Sequence, residues 1–201
     1  MSAVGTASPA RVVAHTVLGR VFDEGAFADR AFRAEADRTG LDARERAFAQ
    51  QLTYGAVQRR GTLDHLIAQL SSRPPGQLDA QVRDALRLGL LQLLYLDGVA
   101  DHAAVSESVE LAGRGGSLVN AVLRRAQRER RALLDGMSDE TPAAAAVMHS
   151  HPEWLVRMWW DELGPEETRA LLARDNEPPE SAVRVNTLRS SGLDLPVPTR
   201  P

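Results

Sequence analysis

Residues 79–98 read DAQVRDALRLGLLQLLYLDG. From Leu86 to Leu96 the stretch is apolar around most of its circumference, interrupted only by Arg87 and Gln92. A helix with that pattern packs on several sides at once, so the stretch predicts the central helix of a domain, opened by Asp79. The apolar run is also well short of the ~20 residues that a membrane span requires. The fold class then depends on what surrounds this helix.

Helical periodicity continues on both sides. Val13, Val17, Val21 and Phe22 recur at helical spacing, and residues 27–38 continue in helix-favouring types. In LDARERAF (41–48), Asp42 is placed as an N-cap with Glu45 three positions on, a capping-box-like pair. It predicts a helix that buries Phe48 and Leu52 and ends near Gly61. Thr62 is expected to cap the next helix, with Leu63, Leu66, Ile67 and Leu70 inward, until SSRPPG (71–76) breaks the pattern. Asp101 is expected to cap a further helix with Ala104, Val105, Ser108, Val109 and Ala112 inward. GRGG (113–116) separates it from a last, arginine-bearing helix. The expectation is an all-α bundle of about six or seven helices.

After residue 135 the pattern weakens and predicts a linker over 135–146. Ser150 with Glu153, and Pro152 in the first turn, are expected to start a helix that holds Trp154, Leu155, Met158 and Trp159 and ends at Gly164. Pro165 starts another, stopped by NEPP (176–179). SAVRVNTL (181–188) alternates like a strand, and the proline-rich tail 190–201 is expected to be disordered.

Composition excludes several chemistries. The 201 residues include no cysteine, which removes disulfides, thiolate metal sites and cysteine nucleophiles together. All 24 basic residues are arginine, against 27 acidic ones, so the net charge is −3. The start, MSAVGTASPA, has neither the basic region nor the apolar run of a secretory signal, and a cytoplasmic location is expected. His149 and His151 lack companion ligands, and no metal site is expected. No Ser-His-Asp set or paired-carboxylate site emerges, so no catalytic residue is assigned. Trp154, Trp159 and Trp160 read as core aromatics rather than base-stacking groups.

The positive charge is concentrated in GRGGSLVNAVLRRAQRERR (113–131). Gly115, Gly116 and Ser117 lead into a helix N-terminus, where unpaired backbone N–H groups and the dipole attract an anion. Arg124, Arg128 and Arg131 follow at i, i+4 and i+7, with Arg125 and Arg130 alongside. That arrangement suits a nucleic-acid backbone; it also suits a solvated face paired with the acidic stretch 97–110. Asn120 is expected to be a buried structural residue that locks the loop to the helix. The Gly-Lys-Ser/Thr ending of a nucleotide-binding loop is missing.

Three strings carry a resemblance: RERAFAQQLTYGAVQRRGTLDHLIAQL (44–70), VRDALRLGLLQLLYLDGVADHAAVSESVELA (82–112) and LVNAVLRR (118–125). They resemble the N-terminal domain of bacterial Sun/Fmu-type small-subunit (16S) rRNA 5-methylcytosine methyltransferases, a domain similar to the antitermination factor NusB. The likeness covers residues 9–189. It implies a NusB-like helical bundle over 1–136, a helical connector over 137–189 and the first strand of an α/β methyltransferase domain otherwise absent from the chain. It also implies RNA as partner, with Arg11, Gly115, Gly116, Ser117, Arg124, Arg125, Arg128 and Arg131 as the RNA-binding set. S-adenosylmethionine would be the cofactor of the full-length parent.

The sequence departs from that family in its chemistry. Such enzymes add a cysteine thiolate to cytosine carbon 6, which lets carbon 5 take the methyl group. This chain has no cysteine and no glycine-rich strand-to-helix turn for the cofactor, and the family pattern stops after Arg189. The expectation is an RNA-recruiting N-terminal portion, inactive alone, with small-subunit rRNA as partner. The alternative is a stand-alone NusB-like factor in transcription antitermination or ribosome assembly, acting through a transcription or ribosomal protein. A third reading is a helical interaction domain whose arginines pair internally.

Overall fold

The computed structural model describes residues 7–177, which form ten α-helices joined by short turns. The central helix is α5, Ala80–Tyr95, and every residue from Asp84 to Leu94 in it is buried. Around it pack α1 (Pro9–Phe22), α3 (Ala43–Gln58), α4 (Arg60–Leu70), α6 (Asp101–Leu111) and α7 (Gly116–Asp135). The shared core runs through Leu18, Leu52, Leu63, Leu66, Leu86, Leu90 and Leu123. A second cluster, with Val13, Val17, Phe32 and Ala49, closes α2 (Ala28–Thr39) onto α1 and α3. Thus α1 to α7 form the expected all-α bundle.

Local chemistry sets the helix starts. The Asp42 carboxylate accepts the Glu45 N–H at 2.8 Å, the N-cap bond expected from the sequence. Glu45 does not return to its own helix end; its carboxylate accepts the Ala10 N–H at 2.9 Å and so caps α1. Close packing sets the glycines. A Cβ on Gly89 would lie 2.4 Å from Leu123 Cδ1, and one on Gly115 would lie 2.2 Å from Val82 Cγ2. Both glycines let α7 or its leading turn approach α5 closely.

Several expectations are corrected. Thr62 does not cap α4, which starts at Arg60; its buried hydroxyl donates to the Val147 carbonyl at 2.7 Å. Ala100, not Asp101, is the N-cap of α6. The 135–146 linker is partly helical: Thr141 caps α8, Pro142–His149, by accepting the Ala144 N–H. Ser150 does not start the next helix. It ends α8 with a left-handed φ of 60°, and its hydroxyl oxygen accepts the Gly61 N–H at 2.8 Å. Pro152 is the N-cap of α9, Glu153–Leu163, which ends at Gly164 as expected and is followed by α10, Pro165–Asp175.

Helices α8 to α10 form a small unit on the side of α4. Its core is Ala145, Ala146, Val156 and Leu172, with Trp159 and Trp160 packed against it. Trp154 is not a core residue: it is 68% exposed. Gln58 Nε2 donates to the Asp175 carbonyl at 3.0 Å, adding to the Thr62 and Ser150 bonds between the unit and the bundle. The strand expected over 181–188 and the tail 190–201 lie outside the described residues.

Candidate nucleic-acid interface

Helix α7 has two faces. Gly116, Val119, Val122, Leu123 and Ala126 point into the core. Ser117, Asn120, Ala121, Arg124, Arg128 and Arg131 are exposed along the other side. The i, i+4, i+7 spacing therefore becomes a continuous solvent-facing stripe of guanidinium groups.

The arginines of this helix differ in how far neighbours occupy them. Arg125 is the most engaged: Nε donates to Glu129 at 3.0 Å, and Nη1 donates to the carbonyls of Gln69 and Leu70 at 3.4 and 3.3 Å. Arg131 meets Asp135 at 3.4 Å with its side chain 94% exposed, so that pair is weak. Arg130 lies 3.9 Å from Asp101 of α6, the contact expected if arginines and the acidic stretch paired. Arg124 donates only to the neutral Gln127 amide at 3.2 Å. Arg128 makes no hydrogen bond or ion pair among the described residues.

Other members of the expected set lie in different surroundings. Gly116 is buried, and a Cβ there would lie 3.0 Å from the Val109 carbonyl oxygen, so Gly115 and Gly116 serve helix packing. Ser117 is exposed in the first turn of α7. Asn120 is exposed and makes no side-chain hydrogen bond among the described residues, which corrects its reading as a buried lock. Arg11 is only 6% exposed. Its Nε donates to Gln92 Oε1 at 2.7 Å and its Nη1 to Glu107 and Ser8, both at 3.0 Å, with the Phe48 ring beneath it. Arg11 thus ties α1 to α5 and α6, away from the α7 stripe.

One cation escaped the sequence reading. Arg73 is exposed in the proline break after α4 and lines a cavity of about 340 Å³ together with Ser72, Gln77, Gly115 and Leu118. A lone arginine among prolines gives no periodic signal; only the fold brings it beside the start of α7. Arg87 was visible as an interruption in an apolar run, but its role was not. It is 2% exposed and bonds Asp84 and both oxygens of Asp64, each at 2.8 Å. Burial pushes the Asp84 carboxyl up, against the pull of Arg87, Arg83 and His15.

Chemically, this surface presents exposed guanidinium groups of the kind that pair with polyanions. No cluster of three or more potential metal ligands occurs among the described residues, and no helix there is long and apolar enough to cross a membrane.

These features define an all-α bundle with an arginine-bearing outer helix. The NusB family model matches residues 8–128, and the chain belongs to the NusB family. A second match, to the Methyltr_RsmF/B-like ferredoxin-like domain, covers residues 151–195. The chain is 34% identical over 191 residues to the probable ribosomal RNA small subunit methyltransferase B of Synechocystis, covering 92% of this chain and 43% of that protein. It is 35% identical over 184 residues to ribosomal RNA small subunit methyltransferase B of Pseudomonas putida, covering 88% and 40%. The chain thus spans less than half the length of these relatives. Among solved structures, NusB-type antitermination factor bound to NusE and double-stranded RNA matches with a TM-score of 0.55 and 24% identity, over 59% of this chain and 93% of that one. At that identity the likeness establishes the fold.

Proposed function

We propose that this chain is the RNA-holding N-terminal portion of a cytoplasmic small-subunit rRNA cytosine methyltransferase. Residues 1–136 would be the RNA-binding bundle and 137–189 the passage toward the catalytic part. The observation that carries the reading is the exposed Arg124–Arg128–Arg131 stripe, in which Arg128 has no protein partner among the described residues, on a chain whose relatives are named as rRNA methyltransferases. Arg125 and Ser117 flank the stripe. Gly115 and Gly116 allow α7 its position, and Arg11 supports it at a distance by fixing α1 to α5 and α6.

In the longer protein the methyl donor would be S-adenosylmethionine. The described residues, being helical throughout, do not supply the strand-to-helix cradle that this cofactor requires, so no chemical step is assigned to them. Their part is to bind and position RNA by phosphate contacts.

The test is RNA binding across a salt series with Arg124→Ala/Arg128→Ala. Each lost phosphate contact lowers the slope of log K against log salt by about 0.7 on single strands, so the double variant is expected to lose roughly 1.4. Unchanged affinity and slope would reject the stripe. The antitermination-factor alternative rests on the fold likeness to the NusB–NusE complex, and it predicts that a transcription or ribosomal protein is captured by this chain specifically.

A further inference from the structure

A cleft of about 410 Å³ opens between α4, the end of α7 and α8. His65 and Gln69 form one wall, Ala132, Leu133 and Gly136 another, with Met137, Ser138, Val147 and Met148 closing the rest. We infer that this cleft receives an unstacked base of single-stranded RNA whose phosphates lie on the α7 arginines. The inference rests on the RNA reading above and specifies which form of RNA is held.

Position is the first argument. Arg125 reaches the carbonyl of Gln69, which is itself a wall of the cleft. On α7, Ala132 follows Arg125 by seven residues and Arg128 by four, which places all three on one side of the helix. Four residues rise about 6 Å, so a phosphate on Arg128 leaves its own base within reach of the cleft. The negative strand and the Arg128 guanidinium, unpaired among the described residues, supply the charge complementarity, while Arg125, paired with Glu129 at 3.0 Å, joins α7 to the Gln69 wall.

The lining is the second argument. Methionine thioethers and aliphatic carbons, with an imidazole at the edge, suit the flat face of a base. The Gln69 Nε2 donates to His65 Nε2 at 2.8 Å, which leaves the side-chain oxygen Oε1 of Gln69 and one amide N–H for a base edge. A duplex could not use such a site, because its bases are stacked and paired; single strands present theirs.

The experiment uses the whole chain with a short mixed-sequence single-stranded oligoribonucleotide, the matching duplex, and heparin as a polyanion without bases. Single strands are expected to bind about tenfold more tightly than the duplex. Gln69→Ala and Ala132→Trp, the latter filling the cleft, should remove that preference while the salt slope stays at its wild-type value. Circular dichroism verifies the fold of Ala132→Trp, and Gln69→Ala tests the site with minimal structural change. Peroxide oxidation gives an independent readout: the single strand should shield Met137 and Met148 but not Met158 on α9, and heparin should shield none of them.

If RNA binds through Arg124 and Arg128 but both cleft variants bind like wild type and the methionines oxidise equally, the cleft assignment falls and the RNA reading stands. Occupation by a protein partner's apolar side chain gives that same pattern and also overturns the assignment. If the wild-type chain binds no RNA at low salt, both fall.

Discussion

Arg87 and Arg128 are the same residue on neighbouring helices of one bundle, and their surroundings are opposite. Arg87, on α5, is enclosed with Asp84 and Asp64 at 2.8 Å, its guanidinium carbon 4.4 Å from the Phe22 ring centroid. Arg128, on α7, faces water with no partner among the described residues. Charge therefore has two uses here. On α5 it holds helices in register at the cost of desolvation, and at Arg128 on α7 it stays available because no acidic side chain among the described residues pairs with it. Composition cannot separate the two, since all 24 basic residues are arginine.

The sharpest way to break this comparison is Arg87→Ala. It leaves Asp84, 1% exposed, without its closest cation, and loss of one partner from a buried pair costs about 3–5 kcal/mol. Urea unfolding should show that loss; a change below about 1 kcal/mol would mean that water reaches the cluster and the contrast with α7 is false.

Gly115→Ala comes next. Its Cβ would meet Val82 Cγ2 at 2.2 Å, and Val82 is 5% exposed, so overpacking is expected to cost about 1–3 kcal/mol. The sequence instead places Gly115 before a helix N-terminus that attracts an anion. If Gly115→Ala keeps full stability but weakens RNA binding, that reading returns and the packing account fails.

How much of this was legible follows the distance over which each feature is decided. The seven helices of the bundle, the Asp42 cap and the enclosure of Leu86–Leu94 depend on neighbours within a turn or two, and they can be read directly. Arg11 depends on Gln92 and Glu107, far away in sequence, so its first-helix position gave no hint that it would be buried. Thr62 and Ser150 look like caps locally, yet each is used to join α4 to α8. An unpaired amide is disfavoured in a helix interior, which points Asn120 inward from sequence, whereas the turn of α7 puts it on the exposed outer face. The α7 stripe was legible as periodicity; the freedom of Arg128 was not, because Asp101, Glu129 and Asp135 reach Arg130, Arg125 and Arg131 but miss Arg128.

A smaller effect sharpens the contrast between the bundle and the α8–α10 unit. His149, 9% exposed, is held below its ordinary pKa of 6.5 chiefly by burial, against the pull of Asp139; His151 and Arg59 lower it further. A lowered folded pKa means that the unfolded chain takes up the proton first. The stability that neutral His149 contributes is full above 6.5 and declines as pH falls through the folded value. Tryptophan fluorescence should therefore report easier unfolding of α8–α10 on mild acidification, and His149→Gln should flatten that dependence. An equal decline in the variant would show that burial of neutral His149 is not its source.

The smallest expected effect discriminates most. Arg124→Ala/Arg128→Ala should change unfolding free energy by no more than about 0.5 kcal/mol, because exposed groups without buried partners contribute little to folding. Arg124 gives up only a 3.2 Å contact to a neutral amide, and Arg128 gives up none among the described residues. Removal of two like charges from a crowded helix face can even stabilise it, since Arg125, Arg130 and Arg131 lie within a turn. A loss of 2 kcal/mol or more would show that these side chains pack or pair in solution, and the stripe would then join Arg87 as structure rather than interface. Neutral stability combined with a reduced salt slope would leave RNA as the reason for the charge.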